Sequence, residues 1–188
     1  MERPRYPIET VRLLLRPLLP SDAAALHAYQ SRADVCRYIP YQPRTLDDLK
    51  QRLASPDLTR STVDEPGQAI VLAVERKDNA VVVGDVMLAW TSAEHQRGEI
   101  GYVFNPDHQG NGYATEAANA LLRLGFETLE LRRIIARVDA RNEASSGVLR
   151  RIGMRQEAYL VQNEWFKGEW TDEIDFAILR DEWRQASA

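Results

Sequence analysis

The 188-residue chain has few of the residues that build several common kinds of site. Cys36 is its only cysteine, which excludes an internal disulfide and a cysteine-based metal site. His27, His95 and His108 stand far apart without the spacing of metal ligands, so we expect no metal. No apolar run approaches the length of a membrane span, and the first residues lack the apolar core of a signal peptide. We therefore expect a cytoplasmic protein with no membrane partner.

An excess of basic charge is also missing. The chain carries 24 Lys and Arg against 28 Asp and Glu, a net charge of −4 at pH 7. Nucleic-acid-binding domains are normally basic, so we expect no nucleic-acid partner, whereas an acidic balance agrees with an amine ligand. The hydrophobic content of 44% and the charged content of 28% are ordinary for a globular protein. The length suits one domain with a sizeable core, and we expect residues 1–188 to form it.

The most informative stretch runs from Glu99 to Leu129. It opens with the β-rich segment Glu-Ile-Gly-Tyr-Val-Phe, and Pro106 ends this predicted strand because proline has no N–H to donate. Gln-Gly-Asn-Gly-Tyr-Ala follows at 109–114, and apolar residues then recur at three- and four-residue steps, as on one face of a helix. A strand, a glycine-rich turn and a helix direct several free backbone N–H groups at one point, which favours an anion and above all a phosphate. Gly110 and Gly112 allow the positive φ angles of such a turn.

Two known phosphate-binding loops fit this turn poorly. A Walker loop needs Gly-Lys-Ser or Gly-Lys-Thr at its end, whereas Tyr113 follows Gly112. A dinucleotide-binding loop needs a third glycine where Thr115 stands. An oxidoreductase with such a loop would use Asp139 to hold a ribose, and the long strand-rich segment ahead of the loop disfavours it. The plain structural alternative is a surface turn whose two glycines only cap a helix.

Residues Asn105 to Ala117 closely resemble the acetyl-coenzyme A loop of the GNAT acetyltransferase superfamily, which reads Gln/Arg-x-x-Gly-x-Gly/Ala at this point. The flanking Ile-Gly-Tyr (100–102) and Ala-Thr-Glu-Ala (114–117) resemble the ribosomal-protein N-terminal acetyltransferase (RimJ/RimL) branch. The resemblance reaches both ends of the chain, at residues 10–18, 168–172 and 175–179. It implies the GNAT fold, an α+β fold whose mixed, mostly antiparallel central sheet is flanked by helices.

The local patterns agree with that class, because they predict several strands, then alternating strands and helices, then more strands. Predicted strands cover 11–16, 69–75, 81–90, 99–104, 133–138, 154–157, 159–166 and 173–179. Predicted helices cover 23–31, 34–38, 45–53, 114–129 and 143–152. Thr45 with Asp48 resembles a capping box at the start of one helix, and Gly153 ends another. The polar segment Ser55 to Gly67 is predicted to be a loop.

The resemblance also implies acetyl-coenzyme A as cosubstrate and assigns the residues that bind it. The loop binds the pyrophosphate, the strand before it pairs with the pantetheine arm, and Asn142 contacts that arm. The implied cofactor-binding residues are Tyr102, Val103, Phe104, Gln109, Gly110, Asn111, Gly112, Tyr113, Ala114, Thr115 and Asn142. Without the resemblance, Asn142 is simply a good N-cap for the next helix, and the strand is satisfied by its neighbours. Arg150 and Arg151 either meet the 3′-phosphate or are solvated helix residues.

The acid for the departing thiolate differs from the usual pattern. Many GNAT enzymes carry a tyrosine for this purpose on the helix after Asn142, but Leu149 stands at its position. The ribosomal-protein branch is proposed to use a serine hydroxyl instead, which implies Ser145 as the acid here. The alternative is that Ser145 only occupies the first turn of the helix. A coenzyme A thiolate is already a fair leaving group, so we expect this acid to matter only modestly.

Two carboxylates compete for the role of general base. Glu99 precedes the loop, on the strand where some GNAT enzymes carry a catalytic glutamate, and Glu164 lies where the ribosomal-protein branch carries its proposed base. A solvated surface glutamate is the structural alternative for either. We favour Glu164, because strand alternation puts it on a polar face with Gln162. The opposite, apolar face then consists of Tyr159, Val161 and Trp165.

We therefore interpret the chain as an N-acetyltransferase that moves the acetyl group of acetyl-coenzyme A to a primary amine by direct transfer in a ternary complex. The amine belongs either to a protein N-terminus or to a small molecule. The alternative is a catalytically silent acyl-coenzyme A-binding sensor or partner module, but the presence of Glu164 and Ser145 favours the enzyme. We expect a monomer or a homodimer. Candidates to border the acceptor are Tyr38, Tyr41, His95 and the segment Ser55 to Gly67.

Overall fold

The computed structural model describes residues 3–186, so the predicted domain of residues 1–188 includes two residues at each end that lie outside the described part. The strands are β1 (Ile8–Glu9), β2 (Leu13–Pro17), β3 (Ala69–Arg76), β4 (Val82–Ser92), β5 (Arg97–Phe104), β6 (Arg133–Asp139), β7 (Arg155–Phe166) and β8 (Glu169–Leu179). They form one sheet in the order β1-β2-β3-β4-β5-β6-β8-β7. Only β5 and β6 pair in parallel among these strands, which confirms the predicted mixed, mostly antiparallel sheet.

The helices of the described part are α1 (Ala23–Gln30), α2 (Ala33–Cys36), α3 (Leu46–Leu53), α4 (Pro56–Thr59), α5 (Tyr113–Arg123), α6 (Glu143–Arg151) and α7 (Arg180–Ala186). A π-helical turn at Leu124–Thr128 continues α5. The predicted capping box of α3 is present, because Thr45 Oγ1 accepts from the N–H of Asp48 at 3.1 Å and the Asp48 carboxylate accepts from the N–H of Thr45 at 2.8 Å. Within residues 3–186, no helix combines the length and the apolar character that crossing a membrane requires.

The two faces of the sheet are covered by different helices. On β3, alternate residues Ile70 and Leu72 belong to the core that packs against α5 and α6. Ala73 lies on the opposite face, in a second core that packs against Leu26 of α1 and Leu49 of α3. The half of the sheet around β3 and β4 is therefore buried on both faces, and each site residue can be assigned to the α5 face or to the α1 face.

Several local predictions differ from the structure. The predicted loop from Ser55 contains α4, because the Ser55 side chain accepts from the N–H of Asp57 and Pro56 fits the first helical turn. The predicted strands 154–157 and 159–166 form a single strand, β7, with β-bulges. The two-residue strand β1 and the helix α7 carry no pattern that the sequence analysis recognised.

The alternation expected on β7 is also wrong in detail. Gln162 has a φ of +50°, and the pairing register shifts between Leu160 and Glu164, so strict alternation stops there. Tyr159, Val161 and Trp165 are 52%, 72% and 63% exposed, so the apolar face that they were expected to form does not pack into the core. Strand alternation therefore does not determine which way Glu164 faces.

The sheet divides at the parallel pair of β5 and β6. Ladder pairing joins Arg97–Glu99 of β5 to residues 133–135 of β6 and then ends. Beyond Glu99 the two strands diverge, while β5 continues to pair with β4 as far as Phe104. A cleft therefore opens in the middle of the sheet, directly before the glycine-rich turn.

Candidate active site

Two cavities open from this cleft. The first, which we call the loop crevice, measures about 830 Å³ and is lined by the 108–115 turn and the first half of α6. The second, the carboxylate cavity, measures about 540 Å³ and lies on the α1 face of the sheet. Both are lined by Tyr38, Ile39, Tyr102, Val103, Asn142 and Ser145. A molecule in one cavity can therefore meet a molecule in the other at these shared residues.

The loop crevice contains the N-terminus of α5. Gly112 is the N-cap of α5 with a φ of +76°, and no side chain caps the helix. Within residues 3–186, the backbone N–H groups of Tyr113, Ala114 and Thr115 have no protein acceptor, as expected for the first turn of a helix. Three free donors and the positive end of the helix dipole suit the pyrophosphate of coenzyme A. The residues present therefore fit the group that the sequence implied.

The turn is held from behind by α5 and by the segment that joins β1 to β2. Arg12 Nη1 donates to the carbonyl oxygen of Asn111 at 2.8 Å, and the same guanidinium forms an ion pair with Glu116 at 2.7 Å. Glu116 also accepts from the hydroxyl of Thr10 at 2.6 Å. Burial opposes ionisation of Glu116, but the bonds from Thr10 and Arg12 outweigh it and lower its pKa. The sequence analysis did not identify Arg12 or Glu116, because their contact joins segments more than 100 residues apart.

Most of the predicted cofactor-binding residues line the loop crevice, and Asn111 is the exception. Its side-chain amide points back along the turn and donates to the carbonyl oxygens of His108 and Gln109 at 3.0 and 3.2 Å. Asn111 therefore supports the turn instead of facing the crevice. Arg151 does line the crevice, with its Nε 3.3 Å from the hydroxyl oxygen of Thr115. Arg150 instead lies over the Phe176 ring and lines neither cavity.

The shared wall is built by the start of α6 and by β5. Asn142 is the N-cap of α6, and its Oδ1 accepts from the N–H of Ser145 at 3.1 Å. That bond leaves the amide Nδ2 of Asn142 free to donate to a ligand. The hydroxyl of Tyr102 lies 2.9 Å from Ser145 Oγ. Burial raises the pKa of Tyr102 to about 12, although the bond to Ser145 opposes that rise, so its hydroxyl stays protonated at neutral pH.

Three glutamates from three strands line one end of the carboxylate cavity. Glu99 forms an ion pair with Arg137 of β6 at 3.0 Å. The carboxylate of Glu164 is exposed and makes no hydrogen bond or ion pair with any residue of the described part. Glu173 of β8 is only 8% exposed, and its Oε1 accepts from the side chain of Asn163 at 3.1 Å. Burial and the nearby charge of Glu164 raise the pKa of Glu173.

Glu173 and Arg137 were missed by the sequence analysis. Both belong to strands whose alternate residues are buried on the α5 face, such as Val138 and Ile174. The pattern that could have identified them is the alternation of charged with apolar residues along a strand, which places the charged residues on one face of the sheet. The sequences of β6 and β8 do not show which other strands supply the remaining residues of the cavity wall.

The hairpin of β7 and β8 reaches across the cavity to the segment after α2. Lys167, in the turn between the two strands, donates to the carbonyl oxygens of Cys36 and Tyr41, the latter at 2.8 Å. Phe166 and Glu164 thereby face the same cavity as Tyr38 and Tyr41. Of the residues expected to border the acceptor, Tyr38, Tyr41 and, from the segment Ser55 to Gly67, Leu58 line the carboxylate cavity, whereas His95 does not. That this cavity holds the acceptor stays a prediction.

A sheet that divides beside a free helix N-terminus, with a second cavity beyond it, defines a transferase that takes its acyl group from coenzyme A. Residues 12–155 match the acetyltransferase (GNAT) domain, and the chain belongs to this family. It is an acetyl-coenzyme A-dependent N-acetyltransferase, so the family expected from the loop is confirmed.

Relatives match over nearly the full length. The uncharacterized N-acetyltransferase YnaD of Bacillus subtilis is 36% identical over 94% of this chain and 98% of its own. Spermidine N(1)-acetyltransferase of Escherichia coli is 27% identical over 90% of this chain and 87% of its own. The crystal structure of a GNAT-family acetyltransferase from Bacillus anthracis superposes with a TM-score of 0.82 at 34% identity, covering 93% of this chain and 98% of that one.

Proposed function

We propose that this enzyme transfers the acetyl group of acetyl-coenzyme A directly to a primary amine while both substrates are bound. The observation that carries the proposal is the wall shared by the loop crevice and the carboxylate cavity, where Tyr102, Asn142 and Ser145 line both. A covalent route through a thiol is disfavoured, because Cys36 is buried and lines neither cavity. Holding both reactants at one point is itself a large source of rate.

The proposed cosubstrate contacts divide between backbone and side chains. The free N–H groups from Tyr113 to Thr115 would hold the pyrophosphate, and Arg151 beside them would add a positive charge. The unpaired edge of β5 from Tyr102 to Phe104 would bind the pantetheine arm through backbone hydrogen bonds, and the free amide of Asn142 would donate to it. Bound in this way, acetyl-coenzyme A supplies an activated acyl thioester.

Glu164 is the proposed general base. An amine is mostly protonated at neutral pH, and its ammonium form cannot attack a carbonyl carbon. The carboxylate of Glu164 faces the cavity without a bonded partner in the described part, which leaves it available to accept that proton. A base in this position contributes roughly 10²–10⁴ in rate. Glu99 is the weaker candidate because Arg137 already binds its carboxylate.

Ser145 is the proposed donor to the leaving thiolate. Its hydroxyl lies on the shared wall, where the sulfur must sit if the acetyl group is to reach the second cavity. Leu149, at the position of the usual tyrosine, is fully buried and has no proton to give. Tyr102 acts through Ser145 by holding the serine hydroxyl in place.

The acceptor amine belongs to a protein N-terminus or to a small molecule. The resemblance of the loop to the ribosomal-protein branch supports the first, and the relative named for spermidine supports the second. The monomer or homodimer and the cytoplasmic location expected from the sequence stay predictions.

A thiol-release assay tests the proposal against a silent acyl-coenzyme A-binding module. Acetyl-coenzyme A is mixed with the protein and a panel of peptide N-termini and small amines, and free thiol is recorded. We expect release that depends on the amine, and an acetylated amine in equal amount by mass spectrometry. Tight binding of acetyl-coenzyme A with no amine-dependent release across the panel would instead support the silent module.

A further inference from the structure

The carboxylate cavity has a second end whose chemistry is opposite to the first. Arg44, Arg52 and Tyr41 line it together. Arg44 donates to Gln30 Oε1 at 2.6 Å and lies over the Tyr41 ring, 3.5 Å from its centroid. Neither Arg44 nor Arg52 forms an ion pair with any residue of the described part. Burial, and then the neighbouring charge of Arg52, lower the pKa of Arg44, as expected for two cations held side by side.

Tyr41 adds a donor that lacks an acceptor. Its hydroxyl oxygen is buried and has no hydrogen-bond partner in residues 3–186. Burial raises the pKa of Tyr41, so the group remains a protonated donor. A buried polar group without a partner costs about 1–3 kcal/mol, and in a cavity wall it indicates that a ligand supplies the partner.

Asp85 is the one carboxylate at this end. Its Oδ1 is already engaged, since it accepts from the hydroxyl of Tyr29 at 2.5 Å and from the side-chain amide of Gln30 at 2.8 Å. Burial raises the pKa of Asp85, which works against its negative charge. Even with Asp85 ionised, the two arginines leave this end with a net positive charge. The rest of the cavity is lined by five carboxylates, Glu99, Asp139, Glu164, Asp172 and Glu173, and by one arginine, Arg137.

Strand register gives the separation of the two ends. Asp85 of β4 pairs with Val103 of β5, and Glu99 lies four residues earlier on the same strand. Alternate residues share a face, so Glu99, Val103 and Asp85 all face the cavity. At about 3.3 Å per residue, the backbone positions of Glu99 and Val103, which mark the acidic and the basic end of the cavity, lie roughly 13 Å apart. Long side chains from both ends reduce the gap that a ligand must span.

We propose that the acceptor carries a carboxylate roughly 10 Å from its reacting amine, and that Arg44, Arg52 and Tyr41 bind this carboxylate. The proposal rests on the proposed function and names its substrate class. A guanidinium fork matches a carboxylate with two parallel hydrogen bonds, and the Tyr41 hydroxyl gives a third donor. Three extended residues span roughly 10 Å, so a short peptide presents its amine and a carboxylate at the required distance. A polyamine would bring a second cation to the arginines and is disfavoured.

The test compares acceptors that differ only in one carboxylate. The first pair is Gly-Gly-Gly and its C-terminal amide, and the second is Gly-Gly-Asp amide and Gly-Gly-Asn amide. The pairs distinguish a terminal from a side-chain carboxylate, and spermidine serves as the purely cationic acceptor. We expect kcat/KM to favour the carboxylate in at least one pair by about tenfold or more, the range of a hydrogen bond to a charged group.

Variants of Arg52 and Tyr41 test whether these residues cause the preference for a carboxylate. Arg52→Gln should reduce that preference to about twofold or less, and Tyr41→Phe should reduce it severalfold without loss of stability, because the hydroxyl bonds to no protein group. Lys50→Gln is the matched control, because it removes the same charge from the same helix at a residue that lines neither cavity. Lys50→Gln should keep the full preference.

Three outcomes would overturn the proposal: equal rates for both members of both pairs, a higher kcat/KM for spermidine, or an unchanged preference in Arg52→Gln. The failure of the proposed function looks different, because no amine of any kind would then be acetylated while acetyl-coenzyme A still bound. Acetylation of the amides alone keeps the proposed function and rejects only the carboxylate.

Discussion

The hydroxyl of Tyr102 lies within hydrogen-bond distance of two oxygens of Ser145, at 2.9 Å from the side-chain hydroxyl and 3.0 Å from the carbonyl. Tyr102 belongs to β5 and Ser145 to the first turn of α6, so the contact ties the strand of the loop crevice to the helix that faces it. Its raised pKa keeps the Tyr102 hydroxyl protonated at neutral pH, so this hydroxyl can donate a hydrogen bond to Ser145. We therefore propose that Tyr102 positions Ser145.

We expect Tyr102→Phe and Ser145→Ala each to lower kcat severalfold, and the double variant to be little worse than either single one. The physical reason is that Ser145→Ala removes the proposed donor to the departing sulfur and Tyr102→Phe removes the group that holds this donor, so their effects are not additive. The measurement is a double-mutant cycle on kcat, with acetyl-coenzyme A affinity from calorimetry as the control for intact binding. Independent, multiplying effects would contradict a shared role.

Glu164→Gln should lower kcat at neutral pH by one or more orders of magnitude with acetyl-coenzyme A affinity nearly unchanged. Without the carboxylate, attack relies on the small fraction of amine that is already neutral. Raising the pH enlarges that fraction, so part of the loss should be recovered. The measurement is a pH–rate profile of kcat for wild type and variant.

Glu99→Gln and Glu173→Gln are the matched controls for the base, because both residues line the same cavity. We expect both to lose less activity than Glu164→Gln, and Ser145→Ala to show no recovery at high pH. Full activity in Glu164→Gln, with a large loss in Glu99→Gln or Glu173→Gln, would show that the general base lies on another strand than β7.

Gly112→Val should remove most of the rise in Tm that acetyl-coenzyme A gives to the wild type. A ligand that binds only the folded state stabilises it by mass action, and a β-branched residue at a φ of +76° displaces the N–H groups that bind the pyrophosphate. Gly67→Val is the control, since Gly67 has a φ of +93° and lines neither cavity. Equal ligand-induced shifts in Gly112→Val and wild type would contradict the phosphate site.

Glu173→Gln should stabilise the protein at neutral pH while it alters the site. The folded state raises the pKa of Glu173, so the folded state binds its proton more tightly than the unfolded chain does. The favourable contribution is then complete below the ordinary pKa of a glutamate and is lost as the pH rises through the raised value. The Tm gain of Glu173→Gln should therefore be small near pH 4 and larger near pH 8. A gain that shrinks with rising pH would contradict the burial effect.

The parts of the site that the sequence predicted are the local ones. Gly110, Gly112 and Pro106 restrict the backbone within a few residues, so the strand, turn and helix around them follow from steric rules alone. The Ser55-Pro56 start of α4 obeys the same kind of rule and was overlooked. The α+β class followed in turn from the order of such local elements.

The parts that escaped prediction depend on which strands and helices lie side by side. Glu99, Glu164 and Glu173 come together only through the pairing of β5 with β6, of β6 with β8 and of β8 with β7. Arg52 of α3 joins Arg44 and Tyr41 in the wall of the carboxylate cavity only because α3 packs against α1. Asp85 did offer a local indication, because it is the only charged residue in the apolar strand from Val82 to Leu88. A charged residue within an apolar strand indicates a functional position, but it does not show which residues the charge contacts.

The short parallel pairing of β5 and β6 has a consequence for resistance to proteases. Only three register pairs join these strands, so the centre of the sheet should open locally more easily than its flanks. Proteases cleave chains in such transiently opened states, and a molecule lodged in the cleft opposes the opening. The lifetime of this enzyme among proteases should then rise and fall with the supply of acetyl-coenzyme A.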